Sequence, residues 1–210
     1  MWWDDIAQLA EQVARNPQLV TGIDPSAQIA RDAELDETHG PISIGAGTTI
    51  CSGTVIRGPV IVGADCMIGN RAMIRGATVI GDRVRVGYCS EIKHSVIGED
   101  TAIGPLCFVA DSLVEHSVYL GALVRTSNER LDHTEIRVLH EGSTRATGLR
   151  KLGCYIGAGS ALGIQVVVLP GRVIAPTTVY EPRITVARNL PTGRYRAVQT
   201  LEAVSQEHPS

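Results

Sequence analysis

An all-β solenoid, in which short parallel strands wind into stacked triangular coils, is the fold class this 210-residue sequence predicts, and three observations predict it. Aliphatic residues return at every sixth position through Ile44, Ile50, Ile56, Val62, Ile68, Ile74, Ile80, Val86 and Ile92. Glycine follows the aliphatic residue at Gly45, Gly63, Gly69, Gly81 and Gly87. Aromatic residues make up 4% of the chain, with a single Phe, so the core is built from stacked Ile, Val and Leu rather than from rings.

A period of this kind decides the fold before any single strand is assigned, because each unit buries its apolar side only against its neighbours. Three six-residue units make one triangular coil of about 18 residues, with each aliphatic side chain pointing into the prism. The beat slips by one residue at Ile97 and runs through Ile103 and Val109. It slips again at Val114, continues to Leu120, and returns at Ile156, Leu162, Val168 and Ile174. A less regular start is visible at Ile23, Ile29 and Leu35. Burying each aliphatic side chain contributes about 1.5–3 kcal/mol, which opposes about 1–2 kcal/mol of backbone entropy per ordered residue. Oligomerisation would add to that stability.

The flanking segments follow from where the beat is absent. Residues 1–20 form an amphipathic segment, with a helix over roughly 3–15 whose first turn carries Asp4 and Asp5, the charge that a helix N-terminus favours. The repeat domain spans 21–187. Residues 127–153, SNERLDHTEIRVLHEGSTRATGLRKLG, are charged and break the beat, so they read as one long projecting loop, a feature that usually carries function. The tail, 188–210, holds RAVQTLEAVSQEH after a Pro-Thr-Gly turn and predicts a short C-terminal helix.

Charge and cysteines exclude several functions. A formal charge of -3 with interspersed signs gives no basic field for nucleic acid or for an anionic membrane. MWWDDIAQLAEQVARN lacks the features of a signal peptide, and no apolar run approaches the roughly 20 residues of a membrane span, so the reading is cytoplasmic. Cys51, Cys66, Cys89, Cys107 and Cys154 are odd in number, scattered and without a CxxC pair, as befits buried free thiols in a reducing compartment.

The stretches VGYCSEIKHSVIGEDTAIG, VADSLVEHSVYLGA, RTSN and GLRKLGCYIGAGSALGIQVVVLPG carry a more specific signal. Over about residues 40–175 the chain resembles the acyltransferase domain of bifunctional sugar-1-phosphate nucleotidylyltransferase/acetyltransferases, within the hexapeptide-repeat acyltransferases. That resemblance implies a left-handed parallel β-helix, a homotrimer, an acyl-CoA donor and a small-molecule acceptor. The glycine-rich GxGTR-type signature of the nucleotidyltransferase half is not present, so nucleotidyl transfer is not implied. Arg75 matches the arginine that grips the sugar phosphate, Lys93 its lysine partner, Glu91 the acidic residue of the same motif, and Asn128 an asparagine of the loop over the substrate. Guanidinium and ammonium groups one coil apart suit a phosphate.

Two departures stand out. Where the family writes HLSYxGD this chain writes PLCFVAD, so the family's histidine base falls on Pro105 and its tyrosine on Phe108. Proline has no proton acceptor in its side chain, and a positioned base is worth 10²–10⁴ in rate. The AxG-type turn beside which the pantetheine arm runs reads Tyr180-Glu181-Pro182-Arg183 here, although Arg183, Arg188 and Arg194 could meet CoA phosphates. Candidate catalytic bases are His94, beside Lys93; His116, one coil on; and His133, with His140, in the loop. No His-x₄-His pair occurs and no metal is expected. Cys107 reads as a buried apolar thiol.

These features lead to a CoA-dependent acyltransferase acting on an amine or hydroxyl of a sugar phosphate, nucleotide sugar or similar polar metabolite. Two alternatives remain open: a catalytically altered binding or scaffold protein, and a repurposed enzyme using the same cleft for different chemistry.

Overall fold

The computed structural model describes residues 1–16, 22–198 and 200. Within them the chain is the parallel β-helix that the repeat requires, left-handed as the resemblance implies. Among the described residues the strands stack into three long sheets of nine, eight and seven strands, here sheets I, II and III, with a separate two-stranded sheet beside them. Every pairing within the three long sheets is parallel. Register follows the beat: Ile50 pairs with Ile68, Ile68 with Val86, Val86 with Ile103 and Ile103 with Leu120 along sheet I. The residues of the beat from Ile44 to Ile174 are buried and form one aliphatic column. The irregular first coil is less enclosed, with Ile29 and Leu35 half-buried and Ile23 exposed.

The glycine that follows the beat has a steric cause. A Cβ on Gly87 would lie 2.5 Å from the backbone at Gly104 and Pro105, and one on Gly63 2.7 Å from the backbone at Gly81 and Asp82. Coils stack this closely only where the side chain is absent. Where Thr126 replaces the aliphatic residue, its buried hydroxyl accepts from the Ala110 N–H at 2.8 Å, so the polar atom is satisfied inside the prism.

Sheet III is apolar on both faces. Its outward residues Ile61, Val79, Val96, Leu113 and Val173 meet a second cluster formed by Trp3, Ile6, Leu9 and Val13. The N-terminal helix is two pieces, α1 (Trp2–Ala7) and α2 (Leu9–Ala14), parted at Gln8, whose φ of -97° and ψ of 0° leave the α region. The break lets both halves lie on the sheet.

The segment 127–153 is not a structureless loop. It carries a hairpin, Arg137–His140 against Ser143–Ala146, turned by Glu141 and Gly142 at φ 47° and 74°. Positive φ at both central residues is the turn that matches strand twist. Ile136 and Val138 are buried in the helix cluster, and His140 meets Trp3 edge-on with ring centroids 5.5 Å apart, so the hairpin folds back rather than projecting freely.

At the C-terminal end, Arg194–Tyr195 pairs with Val179–Tyr180 as a further strand, and the Tyr195 ring stacks on Tyr180 at 5.2 Å. The expected helix over 196–208 lies mostly outside the described residues, and residues 196–198 are not helical. No helix among the described residues is long and apolar enough to cross a membrane.

Two substitutions check the stacking. Ile92→Ala, at a side chain 0% exposed, is expected to lower stability by about 2–5 kcal/mol. Gly87→Ala is expected to lower it by about 1–3 kcal/mol through backbone displacement. Urea unfolding followed by circular dichroism reads both, and an unchanged midpoint for Gly87→Ala would contradict the close-approach account.

Candidate active site

Strand alternation places the charged residues. Along Glu91–Lys93 the middle residue, Ile92, points into the prism, so Glu91 and Lys93 both stand on the outer face of sheet II. Parallel register then puts Arg57, Arg75 and Lys93 in one outward column, each directly beside the next. Neighbouring strands lie about 4.8 Å apart, so the column presents a ladder of cations. Arg75 Nε donates to Glu91 Oε1 at 2.7 Å, with the two side chains about one-third exposed.

The corner that joins sheet II to sheet III completes the group. His94 and Asp111 occupy successive coils of that corner at φ 45° and 48°, stacked beside Gly76 at φ 64°. Backbone bonds tie the coils together: His94 N–H donates to Arg75 O, Asp111 N–H to Lys93 O, and Gly153 N–H to Asp111 O. Asp111 is the junction. Its Oδ1 accepts from His94 Nδ1 at 2.9 Å, and its Oδ2 accepts from Lys93 Nζ at 3.1 Å and from Asn128 Nδ2 at 2.5 Å. The Asp111 side chain is only 6% exposed. Burial pushes its carboxyl upward, but the bonds from His94 and Asn128 and the Lys93 charge outweigh that, and it is held below the usual carboxylate range.

The structure therefore brings together Arg75, Glu91, Lys93, His94 and Asn128. It does not bring in His116 or His133. His116 is exposed on the corner between sheets III and I, where its Nδ1 lies 3.4 Å from Ser117 Oγ and its ring faces Asp100. His133 is 74% exposed and bonded to Glu129 at 3.1 Å. Pro105 and Leu106 turn the corner between sheets I and II, at the other end of strand Phe108–Ala110 from Asp111, and Phe108 pairs with Glu91. Cys107 is buried and its thiol is raised by that burial, which makes it a core side chain and not a nucleophile.

Asp111 was legible in part. It closes the PLCFVAD stretch and lies 18 residues after Lys93, one coil on. A buried acid at that spacing is the partner a corner lysine and histidine require.

A cavity of about 670 Å³ opens where the insertion leaves the prism, with Ile136, Leu169 and Pro170 as apolar walls and Glu129, Arg130, Asp132, Arg137 and Arg172 as its charged lining. Its floor at Ser127, Leu169 and Ala187 continues the outward column of sheet II beyond Lys93 and Ala110. Arg172 donates to the carbonyls of Pro170 and Ala187 at 3.2 Å and has no carboxylate partner among the described residues. Burial, then the nearby Arg130 charge, lowers its pKa. Arg194 and Arg183, by contrast, are engaged by Glu181 at 2.9 Å and Gln165 at 3.0 Å.

Coils built from three six-residue units thus carry a charged cluster at one corner. Residues 56–190 match the family described as the GMPPB C-terminal domain. The chain is 48% identical over 203 residues to the uncharacterized acetyltransferase YaiX of Escherichia coli O6:K15:H31, covering 95% of this chain and 88% of that protein. It is 32% identical over 194 residues to a bifunctional sugar-1-phosphate nucleotidylyltransferase/acetyltransferase of Sulfurisphaera tokodaii, covering 92% of this chain and 48% of that one. Among solved structures, a UDP-N-acetylglucosamine acyltransferase of Francisella novicida superposes with a TM-score of 0.62 at 15% identity, over 84% of this chain and 67% of that one. The chain belongs to the hexapeptide-repeat acetyltransferase family and is an acyltransferase by class.

The Asp111 junction has a signed pH consequence. A carboxyl whose folded pKa is lowered contributes stability above its unfolded value, and that contribution is lost as pH falls through the folded one. Asp111→Ala leaves Lys93 without its partner and is expected to lower stability by about 3 kcal/mol at neutral pH, with a smaller deficit at about pH 2. Thermal melts of both proteins across that range check it; an equal deficit at both ends would contradict the ionised junction.

Proposed function

We propose that the protein is a CoA-dependent acyltransferase whose acceptor is an amine or hydroxyl on a sugar phosphate, nucleotide sugar or similar anionic polar metabolite. The observation that carries this reading is the continuous outward column of sheet II. It offers the cations Arg75 and Lys93 at one end and an arginine-lined cavity with apolar walls at the other. An acceptor phosphate takes up bidentate contacts from Arg75 and point-charge contacts from Lys93. Glu91 and Asn128 offer an acceptor and a donor for sugar hydroxyls beside them.

The cavity fits an acyl-CoA. Its volume lies within the range of small-molecule sites, and Ile136, Leu169 and Pro170 give a surface for the pantetheine arm. Arg172 and Arg137, neither neutralised by a carboxylate among the described residues, supply the charge that phosphates need. Acyl-CoA supplies an activated thioester; the chain's residues hold the acceptor beside it and limit water. The relatives named for acetyl transfer and for sugar-1-phosphate chemistry support the same class.

A homotrimer suits the remaining surface. Sheet III is covered by α1, α2 and the hairpin, whereas Tyr88, Leu106 and Ile164 are exposed along the corner between sheets I and II. Association through that corner would bury them and set a neighbouring prism beside Phe108. Light scattering is expected to give about three times 22.4 kDa, and a monomer would contradict the shared cleft.

The reading is tested by calorimetric titration with acetyl-CoA, longer acyl-CoAs and glucosamine 1-phosphate. Micromolar CoA binding is expected, weakened about 10- to 100-fold by Arg172→Ala, with Arg75→Ala weakening the sugar phosphate by a similar factor and leaving CoA unaffected. Sugar-phosphate binding without any CoA binding would overturn transfer in favour of a binding protein that keeps the anion site.

A further inference from the structure

We propose that His94 is the general base of the transfer and Asp111 its positioning residue, a dyad acting from the corner between sheets II and III while Pro105 occupies the opposite end of strand Phe108–Ala110. The inference rests on the acyltransferase reading and assigns that reaction its missing proton acceptor.

Chemistry fixes the tautomer. An ionised carboxylate only accepts hydrogen bonds, so the 2.9 Å contact requires His94 Nδ1 to carry the proton and donate to Asp111 Oδ1. The neutral ring then presents a bare lone pair at Nε2. That nitrogen has no hydrogen-bond partner among the described residues, and the side chain is 26% exposed. Asp111 cannot swing away from this task, because Lys93 and Asn128 hold its other oxygen and its own N–H and C=O are bonded to Lys93 and Gly153.

The surroundings of the ring are mixed in charge. Lys93 adjoins it on its own coil. Arg75, paired with Glu91, faces it from the preceding coil, and Asp111 from the following one. At the neck of the insertion stand Asn128, bonded to Asp111, and the Glu129–Lys151 pair. The two cations that hold the acceptor's anionic group therefore flank the ring that would take its proton. Position and charge coincide on one face.

The step balances without further reactants. As the acceptor nitrogen or oxygen bonds to the acyl carbon, its proton passes to His94 Nε2, and Asp111 stabilises the imidazolium. When the carbon–sulfur bond breaks, the sulfur leaves with the electron pair and takes the same proton back from Nε2. The products are the acylated acceptor and CoA thiol, and His94 returns to its starting tautomer.

The experiment compares the full-length wild type with His94→Gly and Asp111→Asn. Glycine suits position 94 because the same corner one coil earlier is Gly76 at positive φ. Thiol release from acetyl-CoA is followed with a panel of amino- and hydroxy-sugar phosphates. In His94→Gly, kcat is expected to fall 10²–10⁴-fold with the acceptor KM nearly unchanged, and added imidazole is expected to restore part of it. In Asp111→Asn, kcat is expected to fall at least about tenfold without imidazole rescue, in line with loss of an orienting carboxylate. Long-range ¹H–¹⁵N spectra read the tautomer directly: the Nδ1–H form in the wild type, lost in Asp111→Asn. A His94→Gly variant with wild-type kcat, or a wild-type His94 in the Nε2–H form, overturns the dyad while transfer stands. A wild type that releases no thiol with any acceptor overturns the transferase reading and the dyad's role with it.

Discussion

The coil length is the constraint on which the rest depends. Because 17 or 18 residues return the chain to the same face of the prism, residues a coil apart in sequence become nearest neighbours across a ladder of parallel hydrogen bonds. Sequence spacing is thereby converted directly into spatial order. Arg75 lies beside Lys93 for this reason, and Asp111 falls under His94 and Lys93 because one coil separates them. The close approach demanded by stacking also explains the glycines after the beat, which have no room for a Cβ.

The charges divide into two groups with different consequences. In the corner cluster each cation is met by a carboxylate, Arg75 by Glu91 and Lys93 by Asp111, so the group is ordered and nearly neutral. Such a network fixes geometry more than it creates a field. The insertion cavity is lined by Glu129 and Asp132 as well as by arginines, but these acids pair with Lys151 and Arg130, which leaves Arg172 and Arg137 without a carboxylate among the described residues. On the proposed reading, an ordered corner for the acceptor and two unpaired arginines for the donor suit a reaction in which one reactant must be aligned and the other carries several phosphates.

Much of this was legible in the residues. The six-residue beat, with both of its slips, placed the core aliphatics correctly, because inward positions of a stacked prism tolerate almost nothing else. Arg75, Glu91, Lys93 and Asn128 fell together because register is fixed by coil length. The sheet buried on both sides is not part of the six-residue beat, and its trace in the sequence is a second aliphatic residue one position earlier, in Ile61-Val62, Val79-Ile80, Val96-Ile97 and Leu113-Val114. What the pattern could not give was the path of segment 127–153. It obeys its own two-residue alternation, with Ile136 and Val138 facing the N-terminal helix, and that partner lies far away in sequence. His116 looked near the site by coil counting alone, but it turns a different corner of the triangle.

The most direct measurement is a crystal structure with CoA and glucosamine 1-phosphate bound together. The phosphate is expected on Arg75 and Lys93, the CoA phosphates among Arg137 and Arg172, and the sulfur directed along the sheet II column toward His94 Nε2. A CoA bound elsewhere, with its sulfur remote from the Asp111 corner, would contradict the claim that one column of this prism unites acceptor, base and donor.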